Sequence, residues 1–257
     1  MELIYLIFFF VIGLFFGSFF CVVGTRLGRN ENFIKGRSYC ETCHHPLSFL
    51  DMIPLLSYLF LKGRCRYCKE KILPLSFFIE LATGILFMIS YYSFSFSFDL
   101  VLALSAVSLT MIIFASDLLY YIIPDNVLIF FALLFFVIQI FRLSILPASL
   151  YLLSALSLFL FMYALFCFGN LLFHKETLGG GDIKLMFVIG LVFDPFLGIL
   201  TVFLASFIAL PVSLFLLIKK KERMIPFGPF LLISFLILLF SKLSTVEILE
   251  FLRLYIL

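Results

Sequence analysis

"RLGRNENFIKGRSYCETCHHPLSFLDMIPLLSYLFLKGRCRYCKEK", Arg26 to Lys71, is a polar insert in a chain that is otherwise strongly apolar, and its charge decides how the chain is threaded. Nine of the 18 Lys and Arg residues lie within it. One apolar run precedes it, Leu3–Val23. Seven follow: Leu75–Tyr92, Phe98–Ser116, Val127–Phe141, Ala148–Phe173, Ile183–Phe196, Gly198–Ile218 and Phe227–Phe240. A bilayer core needs about 20 apolar residues per helix, so each run is a candidate membrane helix. The fourth and sixth are short enough to be tilted or re-entrant. The chain is 64% hydrophobic, well above the roughly 45–50% of a soluble domain.

Placing the insert in the cytoplasm orients everything downstream, because basic residues favour cytoplasmic loops. Lys175, Lys184, Lys219, Lys220, Lys221 and Arg223 then also fall inside, and only Arg142, Lys242 and Arg253 fall outside. That 15-to-3 division supports about eight transmembrane helices with both termini outside, six or seven being the alternative counts. The expected fold is an all-α integral membrane protein with a cytoplasmic zinc-ribbon-like insert after the first helix. Its divisions are a first helix over 1–24, the insert over 25–74, a polytopic body over 75–243 and a C-terminal tail over 244–257. Leu3–Val23 follows Glu2 and has neither a basic flank nor a small-residue cleavage site, so it reads as a retained helix. With 38 Phe and no Trp, any interfacial aromatic belt rests on Tyr. A net charge of +3 reports topology and gives no ground for a nucleic-acid partner.

Within the insert, Cys40-x2-Cys43 and Cys65-x2-Cys68 have the spacing of a zinc ribbon, in which each pair forms a knuckle on one tetrahedral ion. A cytosolic setting keeps thiols reduced and favours metal over disulfide. The competing reading is two fortuitous or redox-active pairs. His44 and His45 are spare ligands, yet four cysteines already close the shell, so the expected zinc is structural. Cys21 and Cys167 sit in apolar runs and read as buried small residues.

Two carboxylates stand at predicted helix ends on the same face: Asp117 in "FASDLLYYIIPDNVL" and Asp182 in "TLGGGDIKLMF". Ionisable groups at membrane depth are costly and are functional hypotheses by default. Two carboxylates brought close share a proton, one then serving as general base and the other as general acid. Gly179, Gly180 and Gly181 would let an extended substrate approach Asp182. The same glycines also suit a plain turn, with Asp182 as a helix cap. Asp125 competes with Asp117 as the partner acid, since Pro124 starts a helix well. Glu80 either snorkels to the interface or supports a site, and Lys184 has no evident role. Asp194, before Pro195, and Asp51, within the insert, read as turn residues.

Taken in order, "GLFFGSFFCVVGTRL", "RSYCETCHHPLSFLDMIPLLSYLFLKGRCRYCKEKI", "FFIELATG", "SDLLYYIIPDNV", "GGGDIKLM" and "IPFGPFL" resemble the prepilin peptidases, or type IV leader peptidases, over nearly the whole chain. The resemblance implies a GxGD-type aspartic membrane endopeptidase of the bacterial cytoplasmic membrane. Such enzymes cut the basic leader from type IV prepilin or pseudopilin precursors at the cytoplasmic face. Many then methylate the new N-terminus with S-adenosylmethionine. Carried over by position, the catalytic aspartates fall on Asp117 and Asp182, and the zinc cysteines on Cys40, Cys43, Cys65 and Cys68. Two departures stand out. Gly28 occupies a position where the family often has proline, and "KILPLSFFIE" lacks the expected polar, Tyr-Pro character. Both lie near the insert linked with methylation, and no glycine-rich Rossmann fingerprint marks a cofactor site. A peptidase without methyl transfer is therefore the nearer alternative. A zinc-ribbon scaffold or transporter, with aspartates carrying protons or cations, is the more distant one.

Overall fold

The computed structural model describes residues 1–33, 38–40, 42–174, 178–218 and 226–256. Lys35, Arg37, Lys175, Thr177, Lys219, Lys220, Lys221 and Arg223, several of which entered the charge argument, lie outside the described residues. Among the described residues the elements are α1 (Glu2–Gly28), a 3-10 turn (Phe49–Met52), α2 (Leu56–Phe60), α3 (Leu75–Phe94), α4 (Phe98–Tyr120), α5 (Asp125–Leu143), α6 (Ile145–Phe173), α7 (Gly180–Gly190), α8 (Pro195–Ile218), α9 (Gly228–Ser241) and α10 (Thr245–Ile256).

Each of the eight apolar runs contains a helix, although the sixth, Ile183–Phe196, is helical only to Gly190 before a turn over residues 191–194. Six helices (α1, α3, α4, α5, α6 and α8) are long and apolar enough to cross a bilayer, and the chain is a multi-pass membrane protein. The fourth run is longer than its apolar stretch suggests, because Pro124 fixes the start of α5 and helix continues through Arg142. α7, with 11 residues, and α9, with 14, fall short of the about 20 needed.

The chain divides into two compact units, Met1–Leu100 with Val107–Tyr121, and Val101–Ala106 with Ile122–Leu257. In the first unit α1 packs along α3. Gly13 and Gly17, four residues apart on one face, bring the two backbones together. A Cβ at Gly13 would lie 2.8 Å from Gly84 Cα, and one at Gly17 would lie 2.7 Å from Glu80 Cα. Apolar burial gives helices in lipid little reason to associate, so such close small-residue packing supplies much of the attraction. Gly28 lies against the Tyr120 ring, leaving no room for a side chain. Helix α1 runs past the expected boundary at Val23 to Gly28, and Arg29 Nε donates to the Tyr120 hydroxyl at 2.5 Å.

In the second unit α7 is the centre. Its Leu185, Met186 and Ile189 are wholly buried, and α5, α6, α8 and α9 pack around it. The turn that ends it is held by two side chains from longer helices: Gln139 Nε2 donates to the Leu191 carbonyl (3.1 Å) and Ser154 Oγ to that of Phe193 (2.7 Å). Helix α8 starts at Pro195, earlier than the expected Gly198. Proline suits a first helical position, and Asp194 Oδ1 accepts the Leu197 N–H at 3.0 Å. Asp194 is thus a structural cap, as its place before Pro195 suggested.

Candidate functional site

The insert is built from one local device used twice. In the first copy the Cys40 N–H donates to the His45 carbonyl (3.0 Å), the His44 N–H donates to the Cys40 carbonyl (2.8 Å), and Tyr39 bridges Pro46. In the second, the Cys65 N–H donates to the Glu70 carbonyl (2.8 Å), the Lys69 N–H donates to the Cys65 carbonyl (3.1 Å), and Arg64 bridges Lys71. His44 and Lys69 hold the matching left-handed position, with φ of 54° and 61°. Each hook turns its two cysteines toward the other hook.

The four sulfurs lie within 4.8 Å of one another, with Cys40 Sγ and Cys68 Sγ 3.8 Å apart. A tetrahedral zinc with bonds of about 2.3 Å separates its sulfurs by roughly 3.8 Å, so the donor set and spacing suit such an ion. The thiols also pull on one another's protons. The Cys43 backbone N–H is the main influence holding the Cys40 thiol down at about 7. Against its backbone hydrogen bond at Glu70, Cys68 is pushed up to about 12 by desolvation and by its bonds to Cys65, Cys43 and Cys40. Among themselves the thiols cannot all ionise; a cation relieves that conflict. His44 and His45 are not part of the cluster, and the His45 ring instead packs on Tyr67.

Asp51 ties the link between the hooks to the second one. Its carboxylate accepts from Ser48 N–H (3.1 Å) and Oγ (2.6 Å) and from Arg66 Nε (2.6 Å). Burial raises its proton affinity, but the Ser48 and Arg66 donors outweigh this and hold the carboxyl below its ordinary value. Glu80 reaches back from α3 and accepts the Leu55 N–H at 2.8 Å, and is only 7% exposed.

Asp117 sits in the last turn of α4, 5% exposed, and its carbonyl accepts the Tyr121 N–H. Asp182 is the third residue of α7, 6% exposed, and its N–H donates to the Gly179 carbonyl (3.1 Å). The three glycines before it are not equivalent. A Cβ at Gly179 would lie 3.1 Å from Asp182 Oδ2, and one at Gly181 would lie 2.9 Å from Ile123 Cβ, whereas one at Gly180 would meet nothing within 4 Å. Gly179 and Gly180 are both exposed, but only at Gly180 does a side chain have clear room.

Asp125 and Lys184 find each other. Lys184 Nζ lies 2.8 Å from both carboxylate oxygens, and the side chains are 58% and 53% exposed. The pair joins the start of α5 to the fifth residue of α7, a role for Lys184 that spacing along the chain does not reveal. Glu80, Gln139 and Ser154 belong with it: each is a polar residue in an apolar helix, which is the one signal sequence offers for a buried hydrogen bond. One expectation fails. Cys167 is exposed and Cys21 only half-buried, because a membrane helix can turn apolar residues to lipid as readily as to a core.

Residues 11–94, which contain all four cluster cysteines, match the bacterial peptidase A24 N-terminal domain, and residues 102–214, which contain Asp117 and Asp182, match the type IV leader peptidase family. A prepilin leader peptidase/N-methyltransferase of Vibrio cholerae is 33% identical over 94% of this chain and 98% of its own length. The chain belongs to the type IV leader peptidase family. Proteins of the same name are 35% identical in Klebsiella pneumoniae, over 71% of this chain and 82% of the relative, and 35% identical in Bacillus subtilis, over 71% of each. No solved structure matches.

Proposed function

We propose that this chain removes the basic leader from type IV prepilin-like precursors, with Asp117 and Asp182 as its catalytic carboxylates. One observation carries the reading. Of the four aspartates in the family-matched stretch, Asp117 and Asp182 are the two that are buried, at helix ends and 5% and 6% exposed, in a chain where a buried charge is costly. Asp125, the competing acid, is largely exposed and paired with Lys184, which favours Asp117.

In this reading one ionised aspartate takes a proton from water as the oxygen attacks the scissile carbonyl. The other, protonated, gives its proton to the carbonyl oxygen. The tetrahedral intermediate then collapses: one of its hydroxyl protons returns to the second aspartate as the carbonyl re-forms, and the leaving amine takes a proton from the first, so both acids regain their starting states. General acid–base assistance of this kind is typically about 10²–10⁴-fold. The substrate backbone approaches past Gly180, the glycine with open space beside it. Gly179 keeps the Asp182 carboxylate uncrowded, and Gly181 seats α7 on Ile123.

The insert holds a structural zinc through Cys40, Cys43, Cys65 and Cys68. The ion supplies cross-linking of the two hooks, and its closed shell leaves no position for substrate. The basic insert faces the cytoplasm of a bacterial cytoplasmic membrane, and cleavage occurs at that face. Methylation of the new N-terminus with S-adenosylmethionine follows from the relatives' two-part name. The only glycine among the described insert residues 29–74, Gly63, is buried against Tyr58. We assign that donor no residues and route no step through it.

Incubating the purified protein with a prepilin, with and without labelled S-adenosylmethionine, tests both activities. Cleavage with label transfer is expected. Cleavage without label would retain the peptidase and remove the methyl transfer, and no cleavage would overturn the reading.

A further inference from the structure

Helix α2 is amphipathic in the wrong sense for water. Its outward residues are Leu56, Leu59 and Phe60, 50%, 59% and 83% exposed, at i, i+3 and i+4 on one face. Ser57 and Tyr58, on the other side, are half-buried, and Tyr58 packs on Phe77 at the start of α3 with ring centroids 5.2 Å apart. The preceding 3-10 turn adds Phe49 and Leu50, 76% and 60% exposed.

The depth of this apolar surface is set by a hydrogen bond. The residue that opens α2, Leu55, donates its N–H to Glu80, the sixth residue of α3. At 1.5 Å per residue, Glu80 stands about 7 Å along α3 from its first residue. The 20 residues of α3 span about 30 Å, the whole hydrocarbon thickness, so Leu75 lies near the hydrocarbon boundary. Helical side chains lean toward the N-terminus, so Glu80 meets Leu55 between these levels. Interfacial helices sit about 5–10 Å into the same zone. The insert is also tethered at both ends, to α1 and α3, which cross the membrane. Directly after α2 the charge changes: Lys62, Arg64, Arg66, Lys69 and Lys71 fall within ten residues.

We propose that Phe49–Phe60 is an interfacial anchor, with α2 lying in the headgroup–acyl boundary of the bilayer, Leu56, Leu59 and Phe60 among the acyl chains, and the following basic segment at anionic headgroups. The occupant of this surface is phospholipid. Glu80 is the positioning residue that fixes the depth of α2. The anchor holds the four-cysteine hooks in one orientation at the membrane surface, independently of what the enzyme cleaves.

The chain has no tryptophan, so one introduced residue reports alone. The full-length Phe60→Trp protein is reconstituted in mixed phosphatidylethanolamine and phosphatidylglycerol bilayers, with Leu56→Trp as a second position and Glu70→Trp, on the second hook, as the aqueous reference. Zinc content and prepilin cleavage are checked for each. Blue-shifted Phe60→Trp and Leu56→Trp emission, lost to lipids brominated in the upper acyl chain and spared by aqueous iodide, is expected; Glu70→Trp shows the reverse. Iodide quenching at positions 60 and 56, or protection from both quenchers, overturns the proposal, the latter by showing a protein partner. In Glu80→Leu, which keeps much of the side-chain volume but removes the acceptor for the Leu55 N–H, weaker brominated-lipid quenching at position 60 with zinc retained is expected, and unchanged quenching removes Glu80 from the anchor. These readouts stand whether or not the protein cleaves prepilin.

Discussion

Around Cys40 and Cys65 the chain makes the same hydrogen-bonded hook twice, whereas around Asp182 it sets three consecutive glycines to three different tasks. The hooks are local: within each, the bonds that aim the cysteines join residues four or five apart. The Asp182 loop is assembled from afar. Gly181 needs Ile123 beside it, and Lys184 needs Asp125. A region built locally depends on its ligand for cross-linking, while one built from distant pieces depends on packing. Each should therefore fail in its own way.

The largest effect expected is at the hooks. Cys65→Ser should lose the metal and with it the order of residues 38–73, since structural zinc contributes roughly 10–16 kcal/mol of apparent binding energy in small domains. Metal analysis and hydrogen exchange across the insert would show this, and full zinc retention would break the contrast from that side. In the loop, Gly181→Val should cost about 1–3 kcal/mol through overpacking against Ile123, with cleavage falling alongside thermal stability. Gly180→Val should slow cleavage with stability within about 0.5 kcal/mol of the parent. If both valines behave alike, the division of labour among the glycines is wrong.

Smaller effects sharpen the picture. Asp51 releases its proton more readily in the folded chain than at its ordinary value of 3.8. Its contribution to the insert is therefore complete above that pH and fades as the pH falls toward the lowered folded value. Asp51→Asn should cost about 1 kcal/mol at neutral pH, limited because Arg66 is 45% exposed. The gap from the parent, read as protection of the insert, should close below pH 3.8. Smallest of all, Asp125→Asn should change stability by roughly 0–1 kcal/mol, because the Lys184 pair is solvent-facing, and the effect should shrink further in high salt.

What sequence shows follows the same division. The helical runs, the two CxxC pairs and the structural role of Asp194 rest on spacing and local preference, and each is present, with helix ends shifted by a few residues. Asp117 was separable from Asp125 only by family motif, since both end or begin helices; burial and the Lys184 pair come from tertiary packing. The jobs of Glu80, Gln139 and Lys184 depend on partners 25, 52 and 59 residues away, and no periodicity marks those. Cys167 is exposed, against expectation, because lipid, unlike water, does not drive apolar residues inward.

The central claim is that Asp117 and Asp182 act together on one peptide bond, and a timed prepilin cleavage assay read by mass spectrometry tests it most directly. Asp117→Asn and Asp182→Asn, each inserted and zinc-loaded as the parent is, should both lose cleavage, and the double variant should lose no more than either alone, because the residues of one catalytic unit are not additive. Parental cleavage by either single variant, with its zinc and membrane insertion intact, would contradict the account.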